Sequence, residues 1–225
     1  MPPFSSELMV SGVGVDLARF RGPVDRAAVR AGLGIGPEDA VLITVGEHSE
    51  RKNHETVIAA AAPIEGAHVL FCGVGDRQAA LEKQARELDM EDRVHFLGFR
   101  KDIPALLAAS DVFVFPSLQE GLPVAQMEAM AAGLPCVVSD VRGNNDLIAP
   151  GEGGFLRAPR DVSGFTQDIV RLLADPALRA RMGERNRREM RRYSLEAVLA
   201  QMTALYRDLL DGRADVVRQV EVFLG

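Results

Sequence analysis

Two glutamates, Glu120 and Glu128, bracket the turn Gly121-Leu122-Pro123, with seven residues between them. The apolar run Val112–Phe115 precedes the first. The second lies in Val124–Ala132, a stretch with helical spacing. A strand that hands over to a helix through such a turn leaves the first helical amides unpaired, and those amides attract an anion. Ionised carboxylates on either side are strong acceptors for hydroxyl groups. The pattern suits a ligand with an anionic centre and hydroxyls at both ends. Its place, beyond the carboxyl end of a strand, is where open α/β sheets bind ligands.

The elements that must position these residues become regular from Ala40 onward. Strands are expected at Val41–Val45, His68–Cys72, Val94–Leu97, Val112–Phe115 and Cys136–Ser139, with a short sixth at Gly154–Leu156. Helices are expected between them, at Asn53–Ala62, Arg77–Leu88, Ile103–Ala109, Val124–Ala132 and Asn145–Ile148. The strands are nearly continuous apolar runs, so both faces are covered, as in a parallel sheet flanked by helices. After Asp161 the strands stop, and Val162–Ala174, Pro176–Arg192 and Ser194–Asp211 read as helices. The fold class is therefore α/β: a Rossmann-like, doubly wound parallel sheet with C-terminal helices. Before Ala40, Ser11–Phe20 reads as a linker and Arg26–Gly32 as a short helix. Gly34, Gly36 and Pro37 then break the chain.

Composition narrows the function. The chain has 225 residues, 47% of them hydrophobic, enough for one substantial core, and a net charge of −6, which disfavours nucleic acid. The arginines between Arg179 and Arg192 alternate with glutamates and apolar residues, so a solvated helical face is expected, with weak docking to an anionic membrane left open. Cys72 and Cys136 each sit in an apolar run, outside any C-x-x-C, and read as buried reduced thiols. No apolar run approaches ~18 residues, and Met1-Pro2-Pro3-Phe4 does not open a signal peptide. A cytoplasmic protein is expected, at most touching the inner face of the membrane. His48, His54, His68 and His95 show no metal-ligand spacing. His68 and His95 read as structural, and His48 is placed in the loop after the first strand. Gly73-Val74-Gly75 lacks the third glycine of a dinucleotide fingerprint, because Gln78 stands there; a tight turn is the better reading.

The run E-G-L-P-V-A-Q-M-E, Glu120 to Glu128, resembles the E-x7-E signature of the large retaining glycosyltransferase family called group 1 or family 4. V-G-E-H-S-E-R-K-N, Val45 to Asn53, is similar to that family's phosphate loop. V-H-F-L-G-F-R, Val94 to Arg100, resembles its nucleobase segment. S-D-V-R-G-N-N-D-L-I, Ser139 to Ile148, resembles the segment after its fifth strand, and G-V-G-V-D-L-A-R-F its crossing between lobes. The resemblance runs from about Gly12 to about Tyr206 and is greatest to capsular and exopolysaccharide enzymes.

What the resemblance implies is specific. The chain would be the second, donor-binding lobe of a two-domain GT-B enzyme, with residues 1–20 left from the interlobe linker, 21–175 the nucleotide-sugar-binding domain and 176–225 a helical extension. Glu120 would be the catalytic residue, touching the donor sugar, and Glu128 would bind the ribose. Amides at Gly121 and Leu122 would reach sugar and phosphate, with Pro123 contributing shape alone because it has no N–H. Lys52, assisted by Arg51, would neutralise the diphosphate, stabilising charge that builds on the leaving group. Gly98, Phe99 and Arg100 would lie near the base. Where many members carry a second phosphate arginine, directly after the glycine, this chain has Glu47. No metal and no cofactor are implied. The donor would be a nucleotide diphosphate sugar, UDP first and GDP-mannose next. The acceptor, a glycan or lipid-linked sugar, would be held by an N-terminal lobe outside these residues. The alternative is a module that binds nucleotide sugar without activity of its own, or one half of a split enzyme. An epimerase or phosphorylase is weaker, since nothing marks a pyridoxal phosphate site.

Overall fold

A computed structural model of the chain describes residues 13–210. Six strands, β1 (Ala40–Val45), β2 (Ala67–Cys72), β3 (Val94–Phe96), β4 (Val112–Phe115), β5 (Cys136–Ser139) and β6 (Gly154–Arg157), form one parallel sheet in the order β3-β2-β1-β4-β5-β6. The helices are α1 (Arg26–Gly32), α2 (His54–Ala61), α3 (Gln78–Glu87), α4 (Ile103–Ala109), α5 (Val124–Ala132), α6 (Asn144–Leu147), α7 (Val162–Ala174), α8 (Pro176–Met190) and α9 (Leu195–Leu210). The expected α/β class and strand–helix alternation hold.

Each strand has both faces covered because its side chains alternate between two apolar layers. Val41 and Ile43 of β1 pack with α4 and α5, whereas Leu42 packs with α2 and α7. Phe113 and Phe115 join the first layer; Val112 and Val114 join the second. Both cysteines are buried and free, as expected. Burial raises the Cys72 thiol to about 12 and raises Cys136 as well, so both stay protonated.

Several boundaries differ from the sequence reading by a residue or two. Helix α2 begins at His54 because Asn53 adopts φ 52°, ψ 41°, a left-handed conformation that cannot continue a helix. Helix α6 begins one residue early, at Asn144. Helix α8 ends at Met190 and tightens into a 3-10 turn, Arg191–Tyr193. The proposed end of the last helix at Asp211 and the first residues of the linker lie outside the described residues.

At the amino end of the sheet, Asp111 fastens α1 to β1 and β4. Its carboxylate accepts from Arg26, from Arg30 Nη2 at 2.7 Å and from the Val41 amide at 2.8 Å. Arg30 is 4% exposed and also donates to the carbonyls of Ala109, Pro37 and Asp39. His68 and His95 lie on neighbouring strands with ring nitrogens 2.9 Å apart, in the structural role that their positions suggested. Helix α8 is seated on α5 where Gly183 meets the Gly133 carbonyl; a methyl group at Gly183 would overlap that oxygen.

Candidate functional site

The strand order decides where a ligand can sit. Chain order runs outward from β1 to β2 and β3, then returns to β4 on the other side. The sheet therefore reverses direction between β1 and β4, the place where an open α/β sheet forms its ligand crevice. Residues 46–53 and 116–123 form the two walls.

The walls are stitched together by backbone and side chains. The Leu118 amide donates to the Arg51 carbonyl at 2.8 Å. Asn53 Nδ2 donates to the carbonyls of Pro116 at 2.9 Å and Pro159 at 2.7 Å. That stitch explains why Asn53 holds its left-handed backbone: the conformation aims a short amide at two loops at once. Behind the first wall, Gly73 and Gly75 press against the backbones of Gly46 and His48, closer than any side chain would allow. The G-x-G is thus a packing device for neighbouring loops rather than the expected tight turn: Gly73 bridges to Gly98, and the chain turns only at Asp76–Arg77. His48 does not face the crevice. It is fully buried, edge-on to His54, Phe71 and Phe96.

Charge converges at the head of the crevice. Lys52 Nζ lies 2.6 Å from Glu120 Oε1, with side chains 11% and 7% exposed. The ammonium also stands 4.6 Å from the centroid of the Phe115 ring, a cation–π distance. Arg51 Nη1 donates to the same Oε1 at 3.2 Å and to the Gln119 carbonyl at 3.0 Å. Glu120 Oε2 receives no hydrogen bond among the described residues. Two cations against one carboxylate leave the cluster with net charge +1. Lys52 has three N–H donors, so it can hold Glu120 and still donate to an anion.

The Glu120–Gly121 turn leads into α5, whose N-cap, Pro123, offers no side-chain bond. The Met127 amide donates to the Pro123 carbonyl; the amides of Val124, Ala125 and Gln126 precede that bond and have no cap. They carry the positive end of the helix dipole. The turn is held from below by the loop after β5. Gly143 has φ +89° and lies so close to the Gly121 carbonyl that a Cβ there would overlap it. A fully buried polar set supports that contact: Ser139 Oγ donates to Ser117 O, Asn144 Nδ2 to Ser139 Oγ at 2.9 Å, and Gln126 Nε2 to Asn144 O at 3.1 Å.

Glu128 lies on α5 with its side chain 17% exposed and pairs with Arg19 at 3.2 Å. Burial raises its carboxyl pKa, and the Arg19 charge opposes the rise. Gly98, Phe99 and Arg100 stand beyond the end of β3, two strands from β1. The Gly98 carbonyl accepts from Gly73 N at 2.9 Å, Phe99 is 79% exposed, and Arg100 pairs with Asp102 at 2.6 Å. So Arg51, Lys52, Glu120 and the Gly121 turn come together directly. Glu128 is engaged with Arg19 instead, and the Gly98–Arg100 segment lies two strands from β1; neither touches that cluster among the described residues. Among the described residues no group of three or more His, Cys, Asp or Glu side chains could hold a metal ion. Nor is any helix long and apolar enough to cross a membrane.

Asn53, Gly143, the Ser117–Ser139–Asn144–Gln126 set and Arg19 were not singled out from sequence. A local signal existed for Asn53, which opens a helical run, and for Gly143, a glycine between polar residues after a strand. Arg19 has none, because its partner is 109 residues away.

The family model for glycosyl transferases group 1 matches residues 25–189, which span both crevice walls and both glutamates. The chain belongs to the group 1 glycosyl transferases. The UDP-Gal:alpha-D-GlcNAc-diphosphoundecaprenol alpha-1,3-galactosyltransferase of Escherichia coli is 35% identical over 73% of this chain and 45% of its own length. Sucrose-phosphate synthase from Thermosynechococcus elongatus superposes with TM-score 0.80 at 33% identity, over 89% of this chain and 52% of that one. Anabaena HepE, solved in complex with UDP-glucose, superposes with TM-score 0.82 at 26% identity, over 87% of this chain and 56% of that one. The chain thus spans about half the length of the curated relatives it matches.

Proposed function

We propose that this group 1 domain is the donor-binding lobe of a retaining glycosyltransferase and takes a nucleoside diphosphate sugar, with UDP as the nucleotide. The observation that carries the reading is the Lys52–Glu120 pair at the reversal point of the sheet, beside the uncapped start of α5. The diphosphate docks on the first amides of α5 and on the free donors of Lys52, with Arg51 adding long-range charge. Glu120 Oε2 accepts from the donor sugar, Glu128 from the ribose, and the Gly98–Arg100 segment flanks the base. UDP is favoured over GDP because HepE, a structural neighbour at 26% identity, is described with UDP-glucose.

In the chemical step, the bond between the anomeric carbon and the β-phosphate oxygen breaks. The acceptor hydroxyl adds on the same face, and its proton passes to the leaving phosphate oxygen. Configuration is retained and no base from this lobe is needed. Lys52 stabilises the charge gathering on the diphosphate, and Glu120 stabilises the developing positive charge on the sugar. The acceptor, a glycan or lipid-linked sugar, is held by a second lobe. Residues 1–20 connect to that lobe and residues 176–225 extend this one. The E. coli relative, whose name specifies a diphosphoundecaprenol acceptor, supports the lipid-linked class. The proposed place of work is the cytoplasm, and a lipid-linked acceptor would bring the protein to the inner face of the membrane. Its relatives are about twice as long, which favours a second reading for this chain alone: nucleotide-sugar binding with transfer only when the acceptor lobe is present.

Calorimetry and thermal shift with UDP, UMP, GDP, UDP-glucose and GDP-mannose test the reading. UDP and UDP-glucose should bind, UMP much more weakly, and a ligand at ~100 times its Kd should add about 2.7 kcal/mol of stability. Equal binding of UMP and UDP would remove the diphosphate site from the account.

A further inference from the structure

The contact between Arg19 and Glu128 has no part in the chemistry above, yet it joins the carboxylate proposed for the ribose to the segment that precedes α1. Asp16 caps the 3-10 turn Leu17–Phe20 by accepting from the Ala18 amide at 3.0 Å. Leu17 and Phe20 pack onto the apolar layer that contains α4 and α5. Just before the turn, Val15 is locked between Tyr193 and Leu195: its amide donates to Tyr193 O and its carbonyl accepts from Leu195 N, both at 2.9 Å. Gly14 is pressed on the same helix start, where a Cβ would fall 2.7 Å from Leu195 Cα. Arg19 therefore leaves a turn that is pinned by the C-terminal helices on one side and by α5 on the other. Its guanidinium sits 5.7 Å from the Phe20 ring centroid.

The charged groups around Glu128 are few. Helix α4 and strands β4 and β5, all packed on α5, contain no ionisable side chain other than the buried Cys136 thiol. Helix α8 sends Arg187 toward α5, but that side chain is used on the Ala132 carbonyl and pairs with Glu184. Lys52 and Arg51 are committed to Glu120. Of the turn's neighbours, Asp16 is used on Ala18. Arg19 is left as the cation that answers Glu128.

We propose that Arg19 is a positioning residue for Glu128: it orients the carboxylate for the nucleotide ribose and ties nucleotide affinity to the docking of residues 14–20 on the C-terminal helices. The ribose assignment rests on the functional reading above; the pairing does not. A half-buried carboxylate without its cation drifts toward the neutral acid, which is a weaker acceptor for a diol. Arg19 also restricts the side chain to one orientation before the ligand arrives, which lowers the entropy that binding must remove.

The test uses the 225-residue chain and its Arg19→Gln, Arg19→Lys and Gly14→Ala variants. The carboxyl titration of Glu128 is followed by carbon NMR, and UDP affinity is measured from pH 5.5 to 8. Arg19→Gln should move the Glu128 midpoint upward. It should weaken UDP binding roughly tenfold, the scale of one charge-assisted hydrogen bond. The ratio of variant to wild-type Kd, which cancels titration of the nucleotide itself, should grow as pH falls. Arg19→Lys should recover most of the low-pH binding. Gly14→Ala should weaken UDP binding in the wild-type background and have little further effect in Arg19→Gln. An unchanged Glu128 midpoint overturns the proposal. So does a loss of affinity that is equal at every pH and not recovered by lysine. Equal Gly14→Ala losses in both backgrounds overturn the link to docking. A wild-type chain that binds no nucleoside diphosphate fails the functional reading instead, a result distinct from wild type and Arg19→Gln binding alike.

Discussion

Lys52 and Glu120 form one ion pair; in the proposed reading the first serves binding and the second catalysis, and the two variants should separate those roles. Lys52→Gln removes charge meant for the diphosphate. It should weaken UDP about tenfold or more and narrow the preference for UDP over UMP, read by calorimetry. Glu120→Gln leaves Lys52 with fewer competitors for its donors. UDP affinity should hold or rise while sugar transfer falls, by about 10²–10³ for one lost electrostatic contact. Normal transfer with weakened nucleotide binding in Glu120→Gln would contradict the assignment. A second residue-scale effect concerns His54, 1% exposed and lowered to about 3, first by burial and then by His48 and Lys52. Its folded pKa lies below the unfolded value near 6.5, so the unfolded state binds the proton first. That contribution is complete above pH 6.5 and is lost as pH falls toward 3, at about 1.4 kcal/mol per pH unit. Urea denaturation at pH 7 and pH 5 should show roughly 2 kcal/mol less acid loss in His54→Phe than in the wild type. Phenylalanine is the natural replacement because the ring already packs 5.3 Å from Phe71.

At the scale of elements, the loops after β1, β4 and β5 act as one unit. Asn53 ties the first to the second, and Gly143 of the third carries the turn that presents Glu120. Gly143→Ala meets two obstacles, a left-handed φ that costs about 1–2 kcal/mol and a backbone oxygen that cannot yield. The variant should lose at least that much stability in denaturant titration and lose UDP-glucose affinity with it. Gly121→Ala is the control for stability, since its new methyl would meet nothing within 4 Å. The existence of these loops was legible in sequence. E-G-L-P interrupts an apolar run, and a parallel strand must be followed by a connection to its helix. Their mutual stitching was not legible, because Asn53 to Pro116 and Gly143 to Gly121 join residues from different strand–helix units.

At the scale of the whole molecule, one carboxylate holds three pieces of chain together. Asp111 takes Arg26 and Arg30 from α1 and the Val41 amide of β1. Asp111→Ala strands the buried Arg30 and should cost about 3–5 kcal/mol in urea denaturation, with the far end of the sheet still able to bind UDP under folding conditions. A loss under 1 kcal/mol would show that solvent reaches Arg30 more easily than its 4% exposure implies. The same sheet separates stability from function in space. The clamp sits at the amino ends of the strands and the crevice at their carboxyl ends, so each can be altered with limited effect on the other.

By itself the sequence determined the strands, most helices, the parallel class and the turn between the two glutamates. These follow from continuous apolar runs of strand length, from the helical spacing of apolar residues between them and from glycine and proline at breaks, all of which are local. Tertiary structure alone decided that β1 lies beside β4. That adjacency brings Lys52 within 2.6 Å of Glu120, 68 residues away, and leaves the base segment two strands off. It also decided that Arg19 answers Glu128. An apolar period says that a strand is buried, not which strand it pairs with, and every contact between loops depends on that pairing.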